Sequence, residues 1–282
     1  MQPMQTGQPS RTALSAAAHR AAHQVAEAGR IFSDPLALRI LGPEADAIVA
    51  RMTADPLRRG MRLFIAARTR FAEDALACAV ARGVRQLVVL GAGLDTFAYR
   101  NPHETTGLVV FEVDHPATQA WKRARLADAG LTPPGSLTYT PVDFERSTLA
   151  DGLVAAGFDP HRSSFFTWAG VVPYLTREAV LATLAFIGAL PGGSEVTLDY
   201  SDPPQTLPPD LRAAQAERAA AVAAAGEPWL TTFAPDDLAA ELAARGFTEV
   251  EDLGPREITT RYFAEPAPDR TRGGHLLRAK TP

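Results

Sequence analysis

The sequence predicts an α/β fold around a mostly parallel sheet, and two observations support this prediction. Short apolar runs alternate with helical patterns between residues 86 and 200, which is the spacing of βαβ units. The first run, "QLVVL", leads directly into Gly91-Ala92-Gly93. Ligands of open α/β sheets bind where strands end in such loops. The chain has 282 residues, which is enough for a full hydrophobic core.

Helical patterns come before the sheet. An Ala-rich segment at 12–29 and "DPLALRILG" at 34–42 predict two helices, the second with a proline in its first turn. A longer helix is predicted from about 56 to 83, where a glycine suits the C-terminal end. Residues 1–11 are expected to be disordered.

The remaining elements follow in order, as a single domain predicted over 12–282. The strand candidates are 86–93, 107–114, 137–143, 164–170, 194–200, 247–254 and 273–279. The helix candidates are 115–130, 146–157, 176–190 and 235–246. Residues 202–234 are too long for a simple loop and predict a helical insertion over the site. The stretch before the last strand shows no crossover helix, which predicts that this strand is antiparallel.

Charge and cysteine content narrow the function classes. The net charge of −4 argues against a nucleic-acid or anionic-membrane partner, which would require a basic face. Cys78 is the single cysteine, so neither an intramolecular disulfide nor a cysteine zinc cluster can form. No apolar run approaches the roughly 18 residues of a membrane span. We therefore expect a cytoplasmic protein with no membrane partner.

The glycine loop is weak evidence alone, because a tight strand-to-helix turn explains Gly91 and Gly93 equally well. Glu112 and Asp114 end the next strand, about 20 residues on, where a ribose-binding carboxylate is expected. Asp95 would place a negative charge where a dinucleotide's pyrophosphate must lie. This pattern favours S-adenosylmethionine, which has a ribose, an ammonium and no phosphate, over a nicotinamide dinucleotide.

One arginine lies on an apolar face. At 100° per residue, Arg68 falls near the middle of the apolar arc of the helix predicted at 56–83. A guanidinium there needs an anionic or hydrogen-bonding partner. One hypothesis is a structural ion pair with Asp95 or another buried carboxylate. The other is that Arg68 binds a carboxylate of the ligand, such as that of the methionine moiety.

The six histidines do not predict a metal site. His19 and His23 share one face of the N-terminal helix, but no third ligand is near them in sequence. Two exposed polar residues are one interpretation of this pair, and contact with the acceptor is the other. Because His115 follows the second strand, we expect it to cap the next helix.

Five segments together resemble the bacterial branch of the leucine carboxyl methyltransferase-like family, within the class I S-adenosylmethionine-dependent methyltransferases. They are "RTRFAEDAL" (68–76), "VVLGAGLDTFAYR" (88–100), "FEVDHP" (111–116), "VDFE" (142–145) and "TWAGVVPYLT" (167–176). The resemblance covers roughly residues 10–280. It implies a Rossmann-like seven-stranded sheet with the last strand antiparallel, a helical cover from 12–55 and a helical insertion after the fifth strand.

The resemblance also implies roles for particular residues. Arg68 would hold the methionine carboxylate, Gly91 and Gly93 would form the cofactor loop, and Asp114 would bind the ribose. Asp143 and Phe144 would flank the adenine. Eukaryotic members that methylate a protein C-terminus carry a glutamate in the segment matching "TWAGVVPYLT", where this chain has Trp168 or Ala169. This departure favours a small-molecule acceptor.

The predicted function is therefore S-adenosylmethionine-dependent O-methylation of a carboxylate or hydroxyl of a small hydrophobic or aromatic metabolite. Trp168, Tyr174 and Tyr200, with His19 and His23, are the acceptor-pocket candidates, because the three aromatics lie at the carboxyl ends of strands. The alternatives are an NAD(P)-dependent oxidoreductase and a non-catalytic S-adenosylmethionine-binding protein. A monomer or a homodimer is expected.

Overall fold

The computed structural model describes residues 10–142, 148–224, 226–266 and 271–282. Among these residues the strands are β1 (Gln86–Leu90), β2 (Val109–Asp114), β3 (Leu137–Pro141), β4 (Phe165–Trp168), β5 (Glu195–Ser201), β6 (Glu249–Leu253) and β7 (Gly274–Lys280). They form one sheet in the order β3-β2-β1-β4-β5-β7-β6. The five strands from β3 to β5 are parallel, and β7 runs antiparallel to both of its neighbours. The predicted antiparallel last strand is confirmed.

Helices cover both faces of the sheet. They are α1 (Arg11–Ala26), α2 (Ala45–Ala54), α3 (Arg59–Ala81), α4 (Pro116–Asp128), α5 (Leu149–Ala155), α6 (Arg177–Gly188), α7 (Pro209–Ala224), α8 (Pro235–Ala243) and α9 (Pro255–Ile258). Alternate residues of a strand point to opposite faces. Val88 and Leu90 of β1 thus join the core under α5, α6 and α8, whereas Leu87 and Val89 pack against α3.

The N-terminal helices form a layer over the loop that follows β1. The Ser10 hydroxyl accepts a hydrogen bond from the Ala13 N–H at 3.1 Å and begins α1, so residues 10 and 11 belong to this helix rather than to a disordered terminus. Alanines of α1 pack on α2, on the turn around Ile40 and on Leu94. Small side chains on α1 let this layer approach the glycine loop closely.

Two regions differ from the sequence prediction. The segment predicted as a helix at 34–42 forms turns and a 3-10 helix from Arg39 to Glu44, interrupted at Gly42 (φ 68°), and α2 follows it. Before β7 the chain forms α9 and a π-helical turn, Thr259–Phe263. Both segments contain prolines or glycines that hide a short helix from a pattern of apolar spacing. Residues 202–234 contain α7, as predicted for the insertion.

Candidate functional site

A cavity of ≈2060 Å³ lies at the carboxyl edge of the parallel strands. One side of it, the loop end, is formed by residues 91–95 after β1 and by Asp114 at the end of β2. A second part of its lining, the cover end, is formed by α1, α7, residues 226–230, residues 255–263 and residues 272–274. Pockets for small ligands commonly measure about 300–1,000 Å³, so this cavity has room for two ligands.

Asp114 fixes the geometry of the loop end. Its Oδ2 accepts a hydrogen bond from the Gly93 N–H at 2.5 Å, and its Oδ1 accepts one from the His115 N–H at 2.7 Å. Burial raises the pKa of Asp114, and the two N–H groups oppose that shift. His115 caps α4 through its Nδ1, which accepts from the Ala117 N–H at 3.2 Å, as predicted. A carboxylate is therefore held beside the glycine loop.

Glycine is required at positions 91 and 93 because neighbouring residues pack closely against both of them. Gly91 has φ 63°, and a Cβ there would lie 2.4 Å from the Val171 side chain. Gly93 has φ 47°, and a Cβ there would lie 2.9 Å from Ala13 of α1. A side chain at either position would strain the backbone and displace its neighbour. The loop thus lies directly under α1.

Asp95 lines the cavity next to this loop. Its Oδ1 accepts from the Phe97 N–H at 2.7 Å, which fixes the turn into the next segment. Burial raises the pKa of Asp95, but Arg20, Lys122 and Arg100 together hold it below its ordinary value. The carboxylate is therefore ionised at neutral pH and presents negative charge at the loop end.

Glu112 lies outside the site, which corrects the prediction that it binds the cofactor. Its carboxylate is 2.6 Å from the Lys122 Nζ, and both side chains are 1% exposed. Burial raises the pKa of Glu112 to about 7, against the opposing effect of Lys122. Glu112 does not line the cavity. Of the two acidic residues at the end of β2, Asp114 alone borders the cavity.

Arg68 also lines the cavity, where it forms an ion pair. Its Nη1 donates to the Asp199 Oδ2 at 3.0 Å, and the Arg68 Nε is buried without a partner. The Asp199 Oδ1 accepts from the Gly170 N–H at 2.5 Å. Of the partners that the sequence left open, Asp95 or another buried carboxylate, the structure has the second, Asp199 of β5.

The two histidines of α1 lie in different surroundings. His19 lines the cavity and its Nδ1 has no partner, while burial and the charges of Arg58, Arg62 and Arg68 lower its pKa to about 4. His23 is fully buried away from the cavity. Its Nδ1 donates to Glu27 and its Nε2 accepts from the Ile31 N–H. His23 therefore holds the chain after α1, and its assignment to the acceptor pocket is corrected.

Trp168, Tyr174 and Tyr200 all line the cavity; Trp168 ends β4, Tyr174 lies in the 3-10 turn after it, and Tyr200 lies near the end of β5. Trp168 and Tyr200 are each 2% exposed and also pack in the core under α6. The Tyr200 hydroxyl donates to Asp252, and its ring stacks on His275 at 4.6 Å. Tyr200 thus presents its ring region rather than a free hydroxyl to the cavity.

Sequence patterns missed other wall residues. Asp199 and Gly170 contact Arg68 from segments distant in the chain, and Gln215 of α7 has a buried Oε1 without a partner. No motif marks Asp199 or Gln215, and Gly170 lies in the segment 167–176 without having been assigned a role; only the folded chain brings the three to the wall. Asp143 and Phe144, the predicted adenine contacts, lie outside the described residues.

Two features are absent from the residues that the structure describes. These residues contain no group of three or more His, Cys, Asp or Glu side chains positioned to hold a metal ion. They also contain no helix with the length and hydropathy of a membrane span.

The strand order, with β7 antiparallel between β5 and β6, defines a class I methyltransferase fold. The family model for leucine carboxyl methyltransferase matches residues 13–188, which is more than half of the chain. The chain belongs to this family.

Curated relatives support that membership. The chain is 36% identical over 199 residues to "Putative S-adenosyl-L-methionine-dependent methyltransferase YktD" of Bacillus subtilis, covering 70% of this chain and 65% of the relative. It is 35% identical over 193 residues to the similarly named Rv1896c of Mycobacterium tuberculosis, covering 66% of this chain and 62% of the relative. The matches thus span less than two thirds of the length of each relative.

Solved structures share the fold. A "putative methyltransferase" from Thermobifida fusca aligns with a TM-score of 0.60 and 18% identity, covering 99% of this chain and 97% of that one. A DUF574 family protein from Streptomyces avermitilis aligns with a TM-score of 0.61 and 18% identity, covering 94% and 97%. At this identity the similarity concerns the fold alone.

Proposed function

We propose that this protein is an S-adenosylmethionine-dependent O-methyltransferase that acts on a small hydrophobic or aromatic metabolite, with a carboxylate as the favoured acceptor and a hydroxyl as the second choice. The observation that carries the proposal is one cavity whose lining includes Asp114, the glycine loop and Arg68 together with the aromatic side chains Trp168 and Tyr174. The names of the relatives and the family membership support the cofactor.

The residues of the wall fit this cofactor. Asp114 would bind the ribose hydroxyls beside Gly91 and Gly93, whose close packing against Val171 and Ala13 holds the loop next to this carboxylate. The buried, unpartnered Nε of Arg68 would receive the methionine carboxylate. The ionised Asp95 disfavours a pyrophosphate and therefore the alternative of a nicotinamide dinucleotide.

When bound, the cofactor supplies an electrophilic methyl group on a sulfonium. The contribution of this chain is to align the acceptor and exclude water, with α1, the 202–234 segment as a lid, and the aromatics Trp168 and Tyr174 as the enclosing wall. In the tautomer protonated at Nδ1, His19 can donate to a carboxylate of the acceptor, whereas the unpaired Gln215 Oε1 can accept only from a hydroxyl.

A carboxylate acceptor agrees best with the acid–base properties of His19. The pKa of this imidazole is about 4, so it is neutral at pH 7 and a weak base. A carboxylate is already ionised and needs no base, whereas a phenol or alcohol does. His19 would then position the acceptor by hydrogen bonding rather than deprotonate it.

Calorimetry and a transfer assay test the proposal. The full chain should bind S-adenosylmethionine and S-adenosylhomocysteine but not NAD, and binding of NAD alone would overturn the proposal. The chain should then transfer labelled methyl groups from the cofactor to metabolites of an extract, with equal formation of S-adenosylhomocysteine. Alkaline release of methanol would identify a methyl ester, and a stable product would identify an ether. Binding without any transfer would instead support the non-catalytic alternative.

A further inference from the structure

Arg68 and Asp199 form an ion pair inside the cavity wall. Arg68 comes from α3 and Asp199 from the end of β5, and their side chains are 13% and 8% exposed. Both residues line the cavity. A pair that is nearly buried yet borders a ligand cavity can serve either the fold or a ligand.

The hydrogen-bonding capacity of this pair is not exhausted. Arg68 donates from Nη1 to one oxygen of Asp199, and its buried Nε has no partner. Each oxygen of Asp199 accepts one hydrogen bond, from Arg68 Nη1 or from the Gly170 N–H. A carboxylate has about four acceptor positions and a guanidinium has five N–H donors. Both partners can therefore bind a further charged group without separating.

A second arginine on the same helix shows what a purely structural pair looks like here. Arg62 binds Glu27 through Nε at 2.8 Å and Nη2 at 2.7 Å, and its Nη1 donates to the Met52 carbonyl at 3.4 Å. All three nitrogens of Arg62 have partners, and Arg62 does not line the cavity. An arginine on α3 can therefore have all three nitrogens paired, so the unpaired Nε of Arg68 does not result from its position on this helix.

Four other carboxylates on the described wall already have partners. Glu73 accepts from Arg100 through both oxygens, and Asp114 accepts from two backbone N–H groups. Glu227 accepts from the first two N–H groups of α1. Asp55 pairs with Arg58 at 3.0 Å, but these side chains are 39% and 45% exposed. Arg68 and Asp199 thus form a sheltered pair of opposite charges on this wall that has hydrogen-bonding capacity left.

Adjacent opposite charges are the complement of a zwitterion. An α-amino acid carries its ammonium and its carboxylate on one carbon, so the groups that receive them must also be neighbours. We propose that Asp199 receives the ammonium of the amino-acid end of S-adenosylmethionine while Arg68 receives its carboxylate; this inference rests on the proposed function. Asp199 thereby becomes a specificity residue for ligands that carry an amino group.

Gly170 keeps this pair in place. It has φ 74°, and a Cβ there would lie 2.6 Å from the Arg68 Nη1. Its N–H fixes one oxygen of Asp199 at the same time. A glycine after β4 therefore both makes room for the guanidinium and orients the carboxylate.

Calorimetry on the full chain tests the proposal with three probes: S-adenosylhomocysteine, its analogue without the α-amino group, and 5′-methylthioadenosine, which lacks the whole amino-acid end. Asp199→Asn should weaken S-adenosylhomocysteine about tenfold or more and the other two less than about twofold. Arg68→Met should weaken both probes that keep the carboxylate and spare 5′-methylthioadenosine. Glu112→Gln and Arg62→Met are matched controls, since each alters a buried pair outside the cavity.

Several outcomes separate the two proposals. Equal affinity of Asp199→Asn and the wild type for S-adenosylhomocysteine would overturn the role of Asp199 alone, as would an equal loss for all three probes. Failure of the wild type to bind S-adenosylhomocysteine would overturn the proposed function and this inference with it. If Asp199→Asn does not fold, the wild type still decides, because it must bind the analogue without the amino group about tenfold more weakly or more.

Discussion

The loop end and the cover end of the cavity are assembled differently. The loop end comes from a short stretch of chain, and its main hydrogen bond joins Gly93 to Asp114, only 21 positions apart. The cover end joins segments from both ends of the chain, and its bond from the Arg11 N–H to Glu227 spans 216 positions. Local sequence therefore encodes the loop end, whereas the cover end depends on long-range packing.

This difference suggests how the two ends serve function. A site built from adjacent strands and a glycine loop is rigid and suits a ligand shared by many proteins. The cover end is built from α1, α7 and the segments before β7, so a substitution in any of these segments alters its shape. We therefore expect cofactor binding to depend on the loop end and acceptor choice on the cover end.

The substitution with the largest expected effect is at Asp114, and it tests the loop end. Asp114→Asn keeps one acceptor but sets an NH₂ group against an N–H of Gly93 or His115. We expect S-adenosylhomocysteine affinity to fall about a hundredfold and the free energy of unfolding to fall by about 1–3 kcal/mol. Affinity for 5′-methylthioadenosine should fall as well, since the ribose remains in that probe. Calorimetry and chemical denaturation measure the two effects.

Glu112→Gln is the control for Asp114→Asn. It breaks the buried pair with Lys122, so stability should decrease, yet affinity should change less than about threefold because Glu112 does not line the cavity. If Glu112→Gln lost the cofactor and Asp114→Asn kept it, the assignment of the loop end would be reversed.

A smaller effect concerns a charged network beneath the cover end. His275 of β7 lies 3.0 Å from Asp252 and 3.1 Å from Asp202, so both ring nitrogens face carboxylates. Asp252 also accepts from the Tyr200 hydroxyl, and Asp202 binds Arg272. Burial lowers the pKa of His275, but the two carboxylates hold it above its ordinary value of 6.5.

A raised folded-state pKa makes this contribution to stability pH-dependent. The imidazolium contributes its full stabilisation below about pH 6.5 and loses it as the pH rises through the folded-state pKa. We expect His275→Gln to lower the free energy of unfolding by about 1–3 kcal/mol in acid, with a smaller difference from wild type in alkali. Urea denaturation from pH 5 to 9 measures this, and a difference that grows with pH would contradict it.

The smallest expected effect lies at the junction of the cover end. Glu227 accepts from the Arg11 and Thr12 N–H groups at 2.9 and 3.1 Å, which places a negative charge at the N-terminus of α1. Glu227→Gln should cost about 0.3–1 kcal/mol and speed hydrogen exchange at residues 11–13 about two- to fivefold. Affinity for S-adenosylhomocysteine should stay within about twofold, because the loop end is unchanged.

Asp237→Asn, in the first turn of α8, is a matched control for Glu227→Gln. It removes the same kind of helix-terminal charge away from the cavity, so exchange at residues 11–13 should not respond. A large loss of cofactor affinity in Glu227→Gln would show that the two ends are energetically coupled and that their separation is too simple.

Features that depend on residues close together in the sequence were predicted, whereas contacts between residues far apart in the sequence were not. The parallel strands, the antiparallel β7 and the helix containing Arg68 were predicted, since apolar spacing is a local signal. Gly93 and Asp114, which the loop pattern assigned to one cofactor site, hydrogen-bond to each other. Glu112 was misassigned because both acidic residues end the same strand, and only its burial against Lys122 excludes it.

The ion-pair partner of Arg68 could not be found by the same means. The sequence showed that the guanidinium needed a partner, because its place on an apolar face is a property of the helix alone. It did not identify Asp199, which is 131 positions away and reaches Arg68 only after β5 joins the sheet. His19 and His23 shared a predicted face, yet packing turned one into the cavity and buried the other.

The sequence alone determined the alternation of strands and helices, the glycine loop after β1 and the need of Arg68 for an anion. These depend on backbone preference and on apolar periodicity within a few residues. The tertiary structure decided which carboxylate meets Arg68, which histidine borders the cavity and which segments close the cover end. Those outcomes depend on contacts between residues far apart in the chain, and such contacts exist only once the core has packed.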